Sequence, residues 1–204
     1  MIYFFSMFEL YLALVLFAFV SSVTPGPNNV MLLASGANFG FIKTIPHMLG
    51  ISIGHVFMTI LIGTMIMEIL KLYPVTFVLL KIFCAIYLIY FAWKIANISI
   101  KKSDKIQGKP FSFFQAAIFQ CVNPKAWAMS LTAITIYAPE KNFFSVCLVA
   151  IIFGFINLPC VSIWTIFGQN LRVFLNTNRR LKFFNFTMAF LLILTLYPIV
   201  NLGT

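Results

Sequence analysis

Charge is what this sequence has least of. Only 9% of its 204 residues are charged and four are acidic, whereas 62% are hydrophobic and the mean hydropathy is +1.01. A soluble domain carries roughly 25% charged residues and about half apolar ones, so this chain cannot cover a water-facing surface. A membrane-crossing helix needs ~20 residues, so several such helices with their loops use up the 204 residues and leave no room for a separate soluble domain. We therefore predict one all-α integral membrane domain over 1–204.

The sequence also lacks the usual signatures of metal, cofactor and catalytic sites. It has no Walker loop, no dinucleotide fingerprint, no His-x-x-x-His and no nucleophile paired with a base. Its cysteines lie in apolar stretches without Cys-x-x-Cys spacing, which argues against a zinc site or a disulfide framework; they are Cys84, Cys121, Cys147 and Cys160. We therefore expect no metal, no cofactor and no catalytic residues, and we predict that the protein is not an enzyme.

Six apolar segments remain when charged and polar stretches are taken as boundaries. They are 10–42, 44–67 and 72–93 in the first half, and 111–139, 142–171 and 183–202 in the second. The polar, basic stretch 97–110 separates half-repeats of about 1–96 and 111–204, and a second basic loop is predicted at 176–182. No basic n-region or cleavage site marks the first segment as a signal peptide, so we expect it to stay as a span.

The basic residues are divided unevenly between the two sides of a six-span arrangement. The side opposite to most of them holds only Lys71 and Lys141. Loops rich in Lys and Arg stay in the cytoplasm, so both termini are predicted outside it. The charge of +10 then reflects topology and attraction to anionic lipid, and no nucleic-acid partner is expected. The ten bases predicted on the cytoplasmic side are Lys43, Lys94, Lys101, Lys102, Lys105, Lys109, Arg172, Arg179, Arg180 and Lys182.

Prolines interrupt the first and the fourth segment. Pro25 and Pro124 are 99 residues apart, close to half the chain. Because each half has three spans, related halves would insert upside down relative to each other, as in inverted-repeat transporters with broken helices. A proline also leaves a carbonyl without its helical donor, which a membrane tolerates only inside protein or beside a wet cavity. For either break alone, a simple proline kink is the alternative.

The residues around these breaks predict a binding site for a zwitterion. The first free amides of a helix that restarts at Asn28 suit a carboxylate, and the freed carbonyls with the Asn side chains suit an ammonium group. Lys125 is interpreted as a partner of the substrate carboxylate or as a gate, the alternative being a lysine that reaches the membrane interface. The candidate residues are Ser21, Thr24, Pro25, Gly26, Pro27, Asn28, Asn29, Asn123, Pro124 and Lys125.

Two histidines and two glycine pairs are further candidates. His47 and His55 are eight residues apart on one predicted helix, so they share a side of it, and either proton coupling or packing would explain them. Glycines at a spacing of four let helices approach closely, either within the chain or at the face of a homodimer. These pairs are Gly36 with Gly40 and Gly50 with Gly54.

Three of these motifs resemble the LysE/RhtB superfamily of amino-acid exporters. They are the run Pro25-Gly26-Pro27-Asn28-Asn29 with its following glycines, the run from Asn123 to Trp127, and the ending from Gly168 to Ala189. The resemblance implies a multi-pass exporter in the bacterial inner membrane that moves amino acids outward at the expense of the proton gradient. The run 24–51 is most similar to the branch that exports cysteine and O-acetylserine.

Other substrates and roles stay open at this stage. Relatives in this superfamily export homoserine, threonine, leucine, lysine or arginine, so export of basic amino acids is one alternative. A basic substrate would require a buried acid, and no acid lies deep in a predicted span, which favours a neutral zwitterion. A membrane scaffold that transports nothing is the second alternative, and it predicts tightly packed helices without a solvated cavity.

Overall fold

The structure, a computed structural model, describes residues 2–66, 75–98, 108–138 and 142–195. Within these ranges all regular elements are helical, which confirms the predicted all-α class. A π-helical turn (Ile62–Ile66) extends the third α-helix and a 3-10 turn (Arg172–Phe174) the seventh. The α-helices in chain order are α1 (Ile2–Val23), α2 (Pro27–Phe39), α3 (Phe41–Leu61), α4 (Val75–Ala96), α5 (Phe113–Gln120), α6 (Pro124–Tyr137), α7 (Phe143–Leu171) and α8 (Asn178–Leu194).

Several of the described helices are long enough to cross a membrane, and their exposed side chains are largely apolar. The stretches Phe41–Met65 and Phe143–Phe174 are each long and apolar enough to cross a bilayer. The bent pair of α1 and α2 adds a third such span when it is counted as one. Large side chains on the outside are apolar as well: Phe155 in the middle of α7 is 77% exposed. Such a surface suits lipid, because water-soluble proteins rarely expose contiguous apolar patches.

Both predicted helix breaks are present. The axes of α1 and α2 differ in direction by 56° across the Thr24–Gly26 connection. In the second half, α5 ends at Gln120 and α6 restarts at Pro124. Each restarting helix has a proline at its first position, where the missing N–H would have no helical partner in any case. The prolines therefore begin helices here and do not kink continuous ones.

One predicted boundary is wrong. The stretch 176–182 was expected to be a basic loop, but α8 already begins at Asn178. The Thr177 hydroxyl caps this helix by accepting a hydrogen bond of 3.4 Å from the backbone N–H of Arg180. A capped start places the bases Arg179, Arg180 and Lys182 in the first turns of the helix. Most of the predicted loop 97–110, together with Lys71 and Lys141, lies outside the described residues, as does the side chain of Cys84.

The two halves of the chain are packed into each other. Helix α7, from the second half, contacts α1, α2 and α3 of the first half. Helix α3 also packs against α5, and α4 packs against α8. The first half therefore has no separate core, and the breaks are held in place by helices of the opposite half.

Glycines mark where these helices cross most closely. A Cβ atom at Gly36 of α2 would overlap the Thr165 carbonyl of α7, and one at Gly168 of α7 would overlap the Leu33 carbonyl of α2. Each helix thus presents a glycine to the other's backbone. Backbone approach of this kind is how membrane helices pack without a hydrophobic driving force between them.

The second glycine pair packs inside the chain too. A Cβ at Gly50 would overlap the Phe113 carbonyl, and one at Gly54 would lie 2.6 Å from the Cα of Ala117. Both contacts are with α5. Gly40 has a different role, because it ends α2 with a φ of +83°, a conformation that glycine adopts without strain. The Gly50 and Gly54 spacing therefore serves internal packing, as one of the two interpretations predicts.

Candidate functional site

The two helix breaks lie next to each other and share an amide pair. The Asn28 side chain donates from Nδ2 to Oε1 of Gln120 at 2.9 Å, and Gln120 donates from Nε2 back to Oδ1 of Asn28 at 3.2 Å. Gln120 is buried and also donates to the Ala116 carbonyl at 2.9 Å. This reciprocal pair joins the start of α2 to the end of α5. Asn28 is a predicted site residue, whereas its partner Gln120 is not among those predicted.

Asn29 holds the end of α1 in its broken form. Its side-chain Nδ2 donates to the carbonyls of Ser22 at 2.9 Å and Thr24 at 2.8 Å. A continuous helix would satisfy these carbonyls with the amides four residues later, which the break removes. Asn29 is buried, so its side-chain amide, and not water, supplies the N–H donors that these carbonyls need. The conformation of the break therefore depends on this side chain.

The carbonyls that the prolines free also have partners. The Ser21 carbonyl accepts a hydrogen bond of 2.9 Å from the Thr24 hydroxyl. The Val23 carbonyl accepts one of 3.2 Å from Nε1 of Trp164 on α7. At the second break the Gln120 carbonyl accepts from the backbone N–H of Asn123 at 3.2 Å. Protein groups thus satisfy these carbonyls, which is the first of the two situations in which a membrane tolerates them.

Lys125 connects the second break to the first. Its Nζ donates to the Thr24 carbonyl at 2.5 Å, to the Thr24 hydroxyl at 3.0 Å and to the Pro25 carbonyl at 3.4 Å. The Lys125 side chain is half-buried, and its ammonium group is held by uncharged oxygen atoms. Thr24 and Pro25 are themselves exposed, so this end of the site reaches the surface. The structure thus places Lys125 at the breaks, and its two predicted roles, partner of a substrate carboxylate or gate, stay predictions.

Gly26 provides the space that the lysine stem occupies. A Cβ at Gly26 would lie 2.6 Å from Cδ and 3.2 Å from Nζ of Lys125. The backbone of Gly26 is extended, with a φ of −173°, which any residue adopts. Glycine is therefore required here for the room that it leaves and not for its backbone freedom.

The second break is ordered by its own side chains. Asn123 caps α6, since its side-chain oxygen accepts a hydrogen bond of 3.2 Å from the backbone N–H of Lys125. The indole Nε1 of Trp127 donates to the Cys121 carbonyl at 2.8 Å. Asn123 is buried. These contacts fix the direction in which Lys125 leaves the helix.

A chain of polar side chains that the sequence analysis missed continues from the break into the core. Asn157 of α7 donates from Nδ2 to the Ser22 hydroxyl at 3.0 Å. Its Oδ1 accepts a hydrogen bond of 3.1 Å from the Ser52 hydroxyl of α3. All three side chains are buried. A buried amide in the middle of the apolar run 142–171 was the available signal, because polar groups are expensive at such positions.

A cavity of about 10 Å³ lies between the two breaks. A cavity of roughly 10–15 Å³ holds a single water molecule, so an amino acid does not fit here unless side chains move. The break is therefore closed in this conformation, with the Lys125 side chain as part of its wall. The cavity is lined by Ser21, Ser22, Gly26, Asn28, Asn29, Asn123, Lys125, Met129, Asn157 and Val161.

The family of the chain follows from comparison with known proteins. The family described as "LysE type translocator" matches residues 19–195, which include both breaks and all the cavity-lining residues. The protein belongs to the LysE type translocator family. This membership and the apolar helices identify it as a membrane protein, and the superfamily that the motifs resembled is confirmed.

Curated relatives of this LysE-type chain are named as exporters. A protein of Escherichia coli O139:H28 (strain E24377A / ETEC) is 30% identical over 180 residues, which cover 87% of this chain and 90% of the relative. Proteins of Escherichia coli (strain K12) and Shigella flexneri are 29% identical over the same shares. All three are named "Cysteine/O-acetylserine efflux protein", which confirms the branch predicted from 24–51. No solved structure gives a significant match.

In this LysE-type fold the two histidines lie apart from the cavity. His47 is buried with its ring 4.9 Å from that of Phe111, and His55 is buried with its ring 4.6 Å from that of Phe153. None of their ring nitrogens has a hydrogen-bond partner, and neither residue lines the cavity. In the described part of the chain no three His, Cys, Asp or Glu side chains are grouped as metal ligands.

Proposed function

We propose that this protein exports small neutral amino acids of the cysteine and O-acetylserine type across the bacterial inner membrane, driven by the proton gradient. The observation that carries the proposal is the meeting of two helix breaks at one polar cavity. Family membership supports the same activity, because the matched relatives are named as efflux proteins. Homoserine and threonine are neutral amino acids of similar size, and we include them as further candidate substrates.

The donors and acceptors around the cavity suit a zwitterion. The carbonyls of Thr24 and Pro25 and the Thr24 hydroxyl accept hydrogen bonds from an ammonium group in the structure. Lys125 and the first free amides of α2 supply donors and positive charge for a carboxylate. Among the residues that the structure describes, none of those that line the cavity is an acid. A basic amino acid would bring a second positive charge without a partner, which favours neutral substrates over basic ones.

For the transport cycle we propose six spans in two inverted halves that rock around the paired breaks. The bend between α1 and α2 and the interruption between α5 and α6 support this arrangement, because broken helices in both halves are typical of inverted-repeat transporters. The Asn28–Gln120 pair crosses from one half to the other. Its separation would open the cavity toward one side of the membrane.

His47 and His55 remain our candidates for proton coupling, with packing as the alternative. Both are buried and lack hydrogen-bond partners, so a proton on either ring would need a partner that only another conformation could supply. A coupling role predicts that His47→Gln or His55→Gln abolishes efflux driven by a pH gradient but leaves substrate exchange at equal pH intact. Packing predicts equal losses in both assays.

Efflux from loaded cells tests the proposal. Cells that express the protein and are loaded with cysteine or O-acetylserine should accumulate it outside faster than vector controls. Asn28→Ala, Asn29→Ala and Lys125→Ala should lower this accumulation per molecule of folded protein, whereas Lys43→Ala, at an exposed lysine, should not. Unchanged efflux in all three site variants would overturn the site assignment.

The same assay separates the alternatives. Lysine and arginine loaded in parallel test the basic-substrate alternative, which requires them to leave faster than cysteine. If no amino acid of the panel leaves, the scaffold alternative applies, and the small closed cavity is then its structural basis. A substrate-dependent increase in thiol labelling of an Asn28→Cys variant would exclude the scaffold, since it requires the breaks to open.

A further inference from the structure

We infer that the Lys125 ammonium occupies the place of the substrate's own ammonium group, and that binding exchanges one for the other. The inference rests on the proposed function, since it names how the same site selects its substrate. The observation is that Lys125 Nζ lies within 3.4 Å of three oxygen atoms contributed by Thr24 and Pro25. A primary ammonium has three N–H donors, so this group is matched to three acceptors.

The acceptors are of a kind that permits exchange. Lys125 is held here by two carbonyls and one hydroxyl, all of them uncharged. Hydrogen bonds from an ammonium group to uncharged oxygen atoms are weaker than those to a carboxylate, where the opposite charges also attract each other. An amino acid presents the same ammonium group on a carbon atom. Its ammonium can therefore replace that of Lys125 with the same set of bonds.

Exchange alone would leave the displaced lysine without a partner. A half-buried ammonium that loses its acceptors is costly, so a ligand must also satisfy Lys125 after displacing it. A carboxylate on the same ligand does this. The site therefore selects molecules with both groups, and an amine without a carboxylate must compete against Lys125 at a disadvantage.

The position of the lysine stem fits this exchange. It passes over Gly26, where even a methyl group would come within 2.6 Å of Cδ. The neighbouring Thr24 and Pro25 are exposed, so a ligand reaches the three oxygen atoms from the open end while the stem withdraws from the cavity. Lys125 is thus a tethered competitor of the substrate and, once displaced, its partner.

Three thiols that differ only in these groups provide the test: cysteine, cysteamine, which lacks the carboxylate, and 3-mercaptopropionate, which lacks the ammonium. Their apparent Kd values are measured by thermal-shift titration of the purified full-length protein under reducing conditions. Wild-type protein should bind cysteine and bind the other two at least about tenfold more weakly, because Lys125 competes with one and the acceptors do not suit the other.

Lys125→Met is the informative variant because it removes the competitor and keeps the length of the stem. Its apparent Kd for cysteamine should fall about tenfold below the wild-type value, while its affinity for cysteine declines. Lys43→Met loses the same charge at an exposed site and should leave all three values unchanged. A lysine that served only to hold the fold would give no gain of amine binding in any variant.

Each outcome decides a separate question. Cysteamine binding that stays equal or weakens in Lys125→Met overturns the inference, even where cysteine is transported. If that variant does not fold, Lys125→Ala and the wild-type ratio of cysteine to cysteamine decide, and equal wild-type affinities overturn it. If wild-type protein in proteoliposomes does not exchange labelled cysteine, cysteine is not the substrate and that part of the proposed function is wrong. The cysteamine titration then still decides whether Lys125 competes with an amine.

Discussion

Replacing Asn29 by alanine should destabilise the fold more than the same change at Asn28. Asn29 donates hydrogen bonds of 2.9 and 2.8 Å to the carbonyls of Ser22 and Thr24. Each lost side-chain bond contributes about 0.6 kcal/mol in a membrane protein, and a carbonyl left unpaired and buried adds about 1–3 kcal/mol. Thr24 keeps its bond from Lys125, so only the Ser22 carbonyl is orphaned. We expect a total loss of about 2–4 kcal/mol.

Asn28→Ala is the matched control, and its effect should be smaller, about 1–2 kcal/mol, because two bonds of about 0.6 kcal/mol each are lost. The acceptor left behind, Oε1 of Gln120, belongs to a side chain that can turn toward the half-buried space of Asn28, which a backbone carbonyl cannot do. Gln120 keeps its bond to the Ala116 carbonyl. Both variants exchange Asn for Ala inside the first turns of α2, so the gain in helix propensity is common to them and cancels.

The assay is reversible unfolding in mixed micelles by titration with a denaturing detergent, followed by far-UV circular dichroism. The quantity compared is the difference in unfolding free energy between the two variants. If Asn29→Ala is no less stable than Asn28→Ala, the carbonyls at the end of α1 do not depend on Asn29. The account of how the first break is held would then be wrong.

Three further predictions follow from the fold and the site. Gly168→Ala should destabilise the protein by about 1–3 kcal/mol in the same unfolding assay, because its methyl group would overlap the rigid Leu33 carbonyl. Gly26→Ala should instead leave stability within about 1 kcal/mol but change efflux, because the group it meets is the flexible Lys125 stem; equal losses of stability in both variants would contradict this. A reporter fused after Thr204 should be active outside the cytoplasm, and cytoplasmic activity would refute the six-span topology.

The breaks were the part of the fold that local chemistry could predict. A proline lacks the N–H that a helix interior requires, but Pro46 of α3 and Pro159 of α7 lie inside continuous helices, so a proline alone does not mark a break. Pro25 and Pro124 coincide with breaks because Gly26 and the capping residue Asn123 stand beside them. The predicted fifth segment, 142–171, agrees with α7 (Phe143–Leu171) because charged and polar residues bound it on both sides. The start of α8 was missed because a cluster of bases was taken for a loop, although Thr177 was available as a cap.

The contacts between residues from different helices at the site could not be predicted, because the solvent around these helices is lipid. In water, an amphipathic stripe distinguishes the buried face of a helix from the exposed one. In lipid both faces are apolar: Phe153 is buried in the core while Phe155, on the same helix, is 77% exposed. The hydrophobic pattern of α7 therefore does not tell which side meets α1 and α2, and the signals that remain are its few polar and small residues, such as Asn157 and Gly168. The Asn28–Gln120 contact, between residues 92 positions apart, depends on that packing.

The closed cavity and the scarcity of acids have a common explanation in the exchange at Lys125. In the proposed cycle, opening the breaks would separate the Asn28–Gln120 pair and the Lys125 contacts, bonds that contribute on the order of 1 kcal/mol each in a membrane protein. A substrate that carries both charges would replace the bonds made by Lys125, so the proposed exchange makes opening favourable only when such a substrate is present. A carboxylate among the acceptors would bind Lys125 too strongly for a neutral amino acid to displace it. The proposed exchange therefore requires neutral oxygen atoms, and the absence of an acid among the described residues that line the cavity is a condition of the selectivity that we infer.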